Sequence, residues 1–411
     1  LSSSATAQRP DGPPQDHSLA TLLTLCTAEG LTLIGVFAFP ALVPQFRAAW
    51  GLSNTDAGWI AGIYFLGYAL AVPTLTSLTD RMDAKRVFLF GIAVCLAASA
   101  GFALLAEGFW TAMLFRFLGG AGLAGVYMPG LKALVDRVQG PGQARAMSYY
   151  TASFSLGTML SFAVVGEAAL RIGWQGAFWL SAACAAVGLL LALSLKPVTP
   201  AQDKPKGGLL DFRPVLRNRA AMGYILGYVC HMWELFTFRA WVVAFLVFAR
   251  SQDGGAVDWS PTSVATACSL MAMIASIGGA DLSLRFGRIR MCMLAMLLSG
   301  GSALLLGLTA ALPYWLAAAA SVLYTGLVQL DSASLTTGAM LAAEPERRGS
   351  TVALHSLLGF AAAFFGPLAQ GGILDLVGDG HSVASWAVSF AVMGAIGLLG
   401  PLALRWGAKP S

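Results

Sequence analysis

Leu78-Thr79-Asp80-Arg81-Met82-Asp83-Ala84-Lys85-Arg86 sets two acids and three bases between two long apolar runs. Apolar runs of membrane-crossing length on both sides make this a tight charged turn at a bilayer surface. Roughly two hundred residues on, Leu282-Ser283-Leu284-Arg285-Phe286-Gly287-Arg288-Ile289-Arg290 joins two further apolar runs in the same way. A charged turn that recurs at half the chain length points to a membrane domain present twice.

The composition agrees. Of 411 residues, 57% are hydrophobic and 11% charged, and the mean hydropathy is +0.71. These values exclude an ordinary soluble domain and describe an integral membrane protein. Glycine, at 47 residues, exceeds the usual share of about 7%, and glycine in a bilayer lets helix backbones approach. Cys26, Cys95, Cys184, Cys230, Cys268 and Cys292 all lie in apolar runs without paired spacing. They read as small buried hydrophobes rather than a disulfide frame or a zinc site. The net charge of +5 is explained by where the bases fall, not by a nucleic-acid partner.

Residues 1–18 read as a polar, proline-containing disordered tail, with no cleavable signal pattern. Twelve apolar segments follow, at about 20–46, 54–77, 86–106, 109–135, 144–170, 173–196, 220–249, 260–284, 288–309, 312–341, 348–376 and 382–406. About nineteen of the 25 Lys and Arg fall in the tails and alternate loops, which predicts both termini in the cytoplasm. Residues 197–219 read as a cytoplasmic linker between two six-helix bundles, 19–196 and 220–406, with a short tail at 407–411. The halves align at an offset of about 204, which sets Cys26 on Cys230 and Glu29 within one residue of Glu234.

The two charged turns resemble the loop signature of the major facilitator superfamily, glycine-x-leucine-x-aspartate-arginine-x-glycine-arginine-lysine, found between helices two and three and again between eight and nine. The first keeps Asp80, Arg81, Lys85 and Arg86 but has Thr76 and Asp83 at the glycines. The second keeps Arg285, Gly287 and Arg288 but has Leu284 at the acid. The resemblance implies an all-α membrane protein of two six-helix bundles related by a pseudo-two-fold axis, working as a monomer. It also implies a central cavity lined by helices 1, 4, 7 and 10.

Ionised side chains are costly in hydrocarbon, so each deep one asks for a reason. They are Glu29 in helix 1, Arg116 in helix 4, His231, Glu234 and Arg239 in helix 7, and Asp331 in helix 10, the helices the resemblance assigns to the cavity. Arg116 with Gly120 resembles the superfamily's helix-4 pattern arginine-x-x-x-glycine, where the arginine is associated with proton coupling. Tyr127 returns to nearly the same face. Lys132, four residues before Asp136, suits an i,i+4 pair, and Asp136 is a second candidate anchor for the bases of the Asp80 junction. His231, Glu234 and Trp241 share a face of helix 7, whereas Arg239 is rotated about 140° from Glu234.

Glu29, His231 and Glu234 are the expected proton-coupling groups. Arg116, Tyr127, Tyr228, Trp233, Arg239 and Asp331 are the expected substrate contacts, with Asp331 either touching substrate or pairing with a cavity arginine. For the glutamates the competing reading is a structural pairing with Arg116 or Arg239. Asp80, Arg81, Arg86, Asp136, Arg145, Arg285, Arg288 and Arg348 are candidate gating groups, with plain solvated positive-inside loops as the alternative. The superfamily's antiporter signature, a glycine-proline step ending helix 5, is absent, since 157–166 contains no proline.

The chain therefore reads as a secondary active transporter of a small polar anion or zwitterion, proton-coupled, in a bacterial inner membrane. A proton-driven exporter of amphiphiles is the alternative, and Cu(I) a third cargo, from Cys230, Met232, Cys268, Met271, Met273, Cys292 and Met293. No cofactor, resident metal or enzymatic constellation is expected.

Overall fold

The computed structural model describes residues 16–140, 142–198, 212–253 and 258–408. Among the described residues it is helical, with twelve membrane helices. These are α1 (Asp16–Thr32, continued in short pieces to Trp50), α2 (Asn54–Leu78), α3 (Ala84–Leu105) and α4 (Phe109–Arg137). Then come α5 and α6 (together Gln143–Leu193), α7 (Arg219–Gln252) and α8 (Pro261–Phe286). The last four are α9 (Arg288–Leu306), α10 (Tyr314–Gln329 with Ser332–Ala342), α11 (Arg348–Leu376) and α12 (Val383–Gly397 with Gly400–Ala408). The expected tail up to residue 15, most of the expected linker (199–211) and the last three residues lie outside the described residues.

The local chemistry of the ends is orthodox. Ser53 and Asp56 close α2 with a reciprocal capping box, and Ser260 caps α8 ahead of Pro261. The continuous helical run from α5 into α6 turns at Gly173, whose φ of 73° suits glycine.

Two of the expected spans are broken rather than straight. After Thr32, α1 passes through a 3₁₀ turn, Leu33–Gly35, and two short helices, Ala38–Ala41 and Val43–Trp50. In hydrocarbon the freed backbone groups need partners, and α4 and α5 supply them. The Ser161 hydroxyl donates to the Ile34 carbonyl at 2.6 Å and accepts the Phe37 N–H at 2.9 Å. The Arg116 guanidinium donates to the Val36 carbonyl at 3.0 Å and the Gly35 carbonyl at 3.5 Å. The second break falls at Leu330–Asp331 in α10, where α8 packs against the Leu330 backbone through Gly279.

The first charged turn is a clamp. Asp83, not Asp80, is its buried acid: it caps α3 through the Lys85 N–H and accepts the Val198 N–H at 2.9 Å. Both its oxygens lie 2.9 Å from Arg137 Nη2 at the end of α4. Arg137 and Lys85 in turn donate to the carbonyls of Lys196, Leu193 and Leu195, which close the end of α6. Asp136 does not anchor the junction, because its carboxylate is taken by Lys132 one turn back.

Burial pushes the Asp83 carboxyl up, but the backbone N–H groups of Val198 and Lys85 and the Arg137 guanidinium outweigh it and hold the group below the usual carboxylate range. Because the folded-state value lies below the unfolded one, the clamp's contribution is complete above roughly pH 4 and disappears as pH falls through the folded value. Asp83→Ala is expected to cost about 3 kcal/mol near pH 7. Melting curves of the two proteins should converge in acid, and a difference that persists there would reject the clamp.

Candidate functional site

Buried polar groups inside the two bundles, and one guanidinium at the seam between them, make up the candidate site. In the first bundle Glu29 is fully buried. One carboxylate oxygen accepts from the Ser153 hydroxyl of α5 at 2.5 Å, and the other has no partner among the described residues. Arg116 is 3% exposed and stacks over the Tyr64 ring at 4.2 Å. The residues around it come from α1, α2, α3, α4 and α6. The arginine predicted for the central cavity is thus enclosed within one bundle, because the break in α1 draws it onto the freed carbonyls. Tyr127 packs on Phe154 in the same bundle, with ring centres 4.6 Å apart.

In the second bundle His231 Nδ1 lies 2.7 Å from Asp331 Oδ1, with both side chains within 2% of full burial. The contact is close but not aligned as a hydrogen bond, and neither atom has another partner. Asp331 therefore faces a histidine and not a cavity arginine; the break in α10 turns it toward α7. One turn along α7, Glu234 accepts from the Tyr324 hydroxyl at 2.9 Å and from Ser299 at 3.2 Å, and Gly397 of α12 leaves room for its carboxylate. In this conformation neither glutamate is paired with an arginine among the described residues. Tyr228 stacks on His355 at 3.8 Å, and His355 Nε2 lies 3.3 Å from the Thr336 hydroxyl.

Arg239 differs from all of these. It is half-buried, and its guanidinium lies 5.6 Å from the Phe37 ring of the first bundle and 5.7 Å from Phe236 of its own. It makes no ion pair among the described residues, and its Nε is buried and unpartnered, as are Trp233 Nε1 and Thr237 Oγ1 on the same helix. The surrounding seam is aromatic: Phe65 meets Phe236 at 4.4 Å and Tyr68 meets Phe360 at 4.1 Å.

At the face away from the basic loops the seam is shut. The Asp375 carboxylate, at the end of α11, accepts the backbone N–H groups of Asn54 and Thr55 at 2.9 and 2.8 Å. It also accepts their side chains at 2.8 and 2.5 Å. Asp379 adds contacts to Asn54 and Arg47. Gly58 and Gly62 let α2 lie against the α11 backbone, since a Cβ there would come within 2.5 and 2.4 Å of the Pro367 and Phe364 carbonyl oxygens. The pseudo-symmetric pair, α5 with α8, touches through Gly166 and Thr262. The cross-bundle hydrogen bonds named above all lie at this face. On the basic face Asp80, Arg81, Arg86, Arg145, Arg285 and Arg348 are exposed and Arg288 is half-buried.

The sequence profile of the Major Facilitator Superfamily matches residues 25–262, more than half of the chain. The chain belongs to the Major Facilitator Superfamily. It is 22% identical over 270 residues to protein spinster homolog 3 of Danio rerio, covering 61% of this chain and 54% of that protein. It is 26% identical over 252 residues to the uncharacterized MFS-type transporter YceJ of Bacillus subtilis, covering 61% and 59%. The chain thus spans little more than half the length of the curated relatives it matches. The crystal structure of a bacterial homologue of the human lysosomal transporter Spinster, described as inward-facing and unoccupied, superposes with a TM-score of 0.73 at 16% identity. That match covers 96% of both chains and shows the shared fold.

Within this superfamily chain the groups missed by sequence reasoning are hydrogen-bond partners: Tyr324, Ser299, Ser153 and, at the shut face, Asn54, Thr55 and Asp375. Asp83 carried a signal, an acid directly before a helix start. The cross-bundle partners carried none, because their pairing depends on which helices meet. Charge-assisted hydrogen bonds contribute about 1.5–3 kcal/mol each where desolvated. Asp375→Asn is therefore expected to shift the shut-to-open balance at this face by about 2 kcal/mol, roughly thirtyfold. Spin labels at Ala49 and His381 should then show a longer distance population that the unsubstituted protein lacks. An unchanged distribution would remove Asp375 as the latch.

Proposed function

We propose that the protein is a secondary active transporter that moves a small polar anion or zwitterion by alternating access, coupled to protons. The observation that carries the reading is Arg239, a guanidinium at the seam of the two bundles with no carboxylate to neutralise it. A cation held there is poorly compensated, and an anionic cargo supplies the missing charge together with a bidentate partner. Trp233 and Thr237 on α7 also carry unpartnered polar atoms, though at 100° per residue neither shares the face of Arg239. Tyr228 and Tyr127 would line the route toward the basic face.

In this reading the basic face is cytoplasmic, both termini are inside, the membrane is a bacterial inner membrane and the state is inward-facing. The gating residues of the basic loops, Asp80, Arg81, Arg86, Asp136, Arg145, Arg285, Arg288 and Arg348, then engage only when that mouth closes. Glu29, His231 and Glu234 are the proton-coupling candidates, and Asp331 joins them through His231. The aromatic seam of Phe65, Phe236, Phe360 and Tyr68 supports the second reading, an exporter of amphiphiles, because apolar rings accept varied hydrophobic cargo. Among the described residues no three His, Cys, Asp or Glu side chains converge on a metal position.

Thermal-shift measurements on the purified protein separate these readings, since a ligand at 100 times its Kd adds about 2.7 kcal/mol. Small carboxylates or inorganic anions should stabilise the protein, and Arg239→Gln should weaken that effect at least tenfold while Arg239→Lys retains part of it. Stabilisation by lipophilic compounds alone, untouched by Arg239→Gln, would favour the exporter.

A further inference from the structure

We propose that Arg116 holds a monoatomic anion of chloride size in a small site inside the first bundle, separate from the cargo seam. Behind the break in α1 lies a cavity of about 20 Å³, room for one small species, lined by Arg116 and by Thr32, Cys95, Ser99, Phe102 and Phe115 among others. Arg116 spends one nitrogen on the Gly35 and Val36 carbonyls, and its Nε and Nη2 are buried without partners. The side chain is 97% buried by its 3% exposure. Among the described residues the only buried acid in the transmembrane part of this bundle, Glu29, accepts from Ser153 and forms no ion pair with Arg116. A guanidinium so placed is strongly disfavoured unless a counter-charge lies beside it.

The polarity of the lining selects what that counter-charge is. Ser99 has a hydroxyl with no hydrogen bond to the rest of the described protein, and Arg116 offers two free N–H groups, so donors predominate. The Cys95 thiol is turned to the Gly119 carbonyl and the Thr32 hydroxyl to the Ala28 carbonyl, and the Thr32, Ser99 and Tyr64 hydroxyl oxygens are the side-chain acceptors of the lining. A water could use the same donors and acceptors, but only an anion supplies the charge that the buried guanidinium lacks. The small cavity favours a compact inorganic anion, and a halide is the simplest ion of that kind. Bound there, the ion would hold Arg116 on the freed carbonyls of α1 and so set the shape of the bend that continues toward Phe37 and the seam.

The test uses the full chain in nanodiscs. Melting curves in sodium chloride against sodium gluconate, at constant ionic strength, should show a saturable rise with chloride that bromide reproduces. Ser99→Ala should weaken the apparent halide affinity roughly tenfold, and Arg116→Gln should abolish the dependence. Crystals grown in bromide should give an anomalous peak beside Arg116 in the unsubstituted protein, a readout that stands even if a variant fails to fold. Absence of any halide effect, an equal effect in Ser99→Ala, or an ordered water without anomalous signal would overturn the proposal. So would a bromide peak with no chloride effect in solution, which would mark an adventitious ion only. Loss of cargo binding in Arg239→Gln with halide dependence intact would leave this site standing apart from the seam.

Discussion

Hydrocarbon offers no hydrogen-bond partner, so every polar group taken into the membrane must find one inside the protein, and this constraint shapes the whole chain. Where α1 breaks, Ser161 and Arg116 replace the helical hydrogen bonds that are lost. Where α10 breaks, Asp331 turns to His231. Glu29 and Glu234 are each met by hydroxyls rather than by bases. These contacts hold each bundle together, and Arg239, at the seam between them, makes no ion pair among the described residues.

Rigid bundles are what a rocking mechanism requires, because strain must be concentrated at the seam. The contacts there have two characters. Backbone packing through Gly58 and Gly62 gives close approach with little chemical commitment, while the Asp375 carboxylate on the first turn of α2 ties the bundles by charge-assisted hydrogen bonds. On the basic face the loops keep their charge in water and the Asp83 clamp binds α3, α4 and α6 within one bundle. That clamp therefore stays intact whichever face is open, and the loop charges beside it remain available to a closed inner mouth.

The fold was legible because length and hydropathy alone dictate spans: the twelve expected segments match twelve helices, with Gly173 and Ser260 placed at their turns. The breaks were not legible. Pro40 and Pro44 hint at irregularity in α1, but nothing near Leu330 announces a break, since it is set by the approach of α8 at Gly279. The candidate site was half legible. The cost of burial singled out Glu29, Arg116, His231, Glu234, Arg239 and Asp331, all of which are indeed deep or at the seam. Their grouping was not, because helical periodicity orders residues on one helix and says nothing of which helix faces them. Two arginines expected to share a cavity are separated for that reason, and His231 with Asp331 are joined for the same one.

The most direct measurement is proton flux in proteoliposomes reporting lumenal pH, with small anions added outside under an imposed pH gradient. The account predicts that at least one small carboxylate, inorganic anion or amino acid evokes a proton movement that Arg239→Gln eliminates. If no small anion or zwitterion moves protons, or if only lipophilic compounds do so and Arg239→Gln behaves like the unsubstituted protein, the account is contradicted.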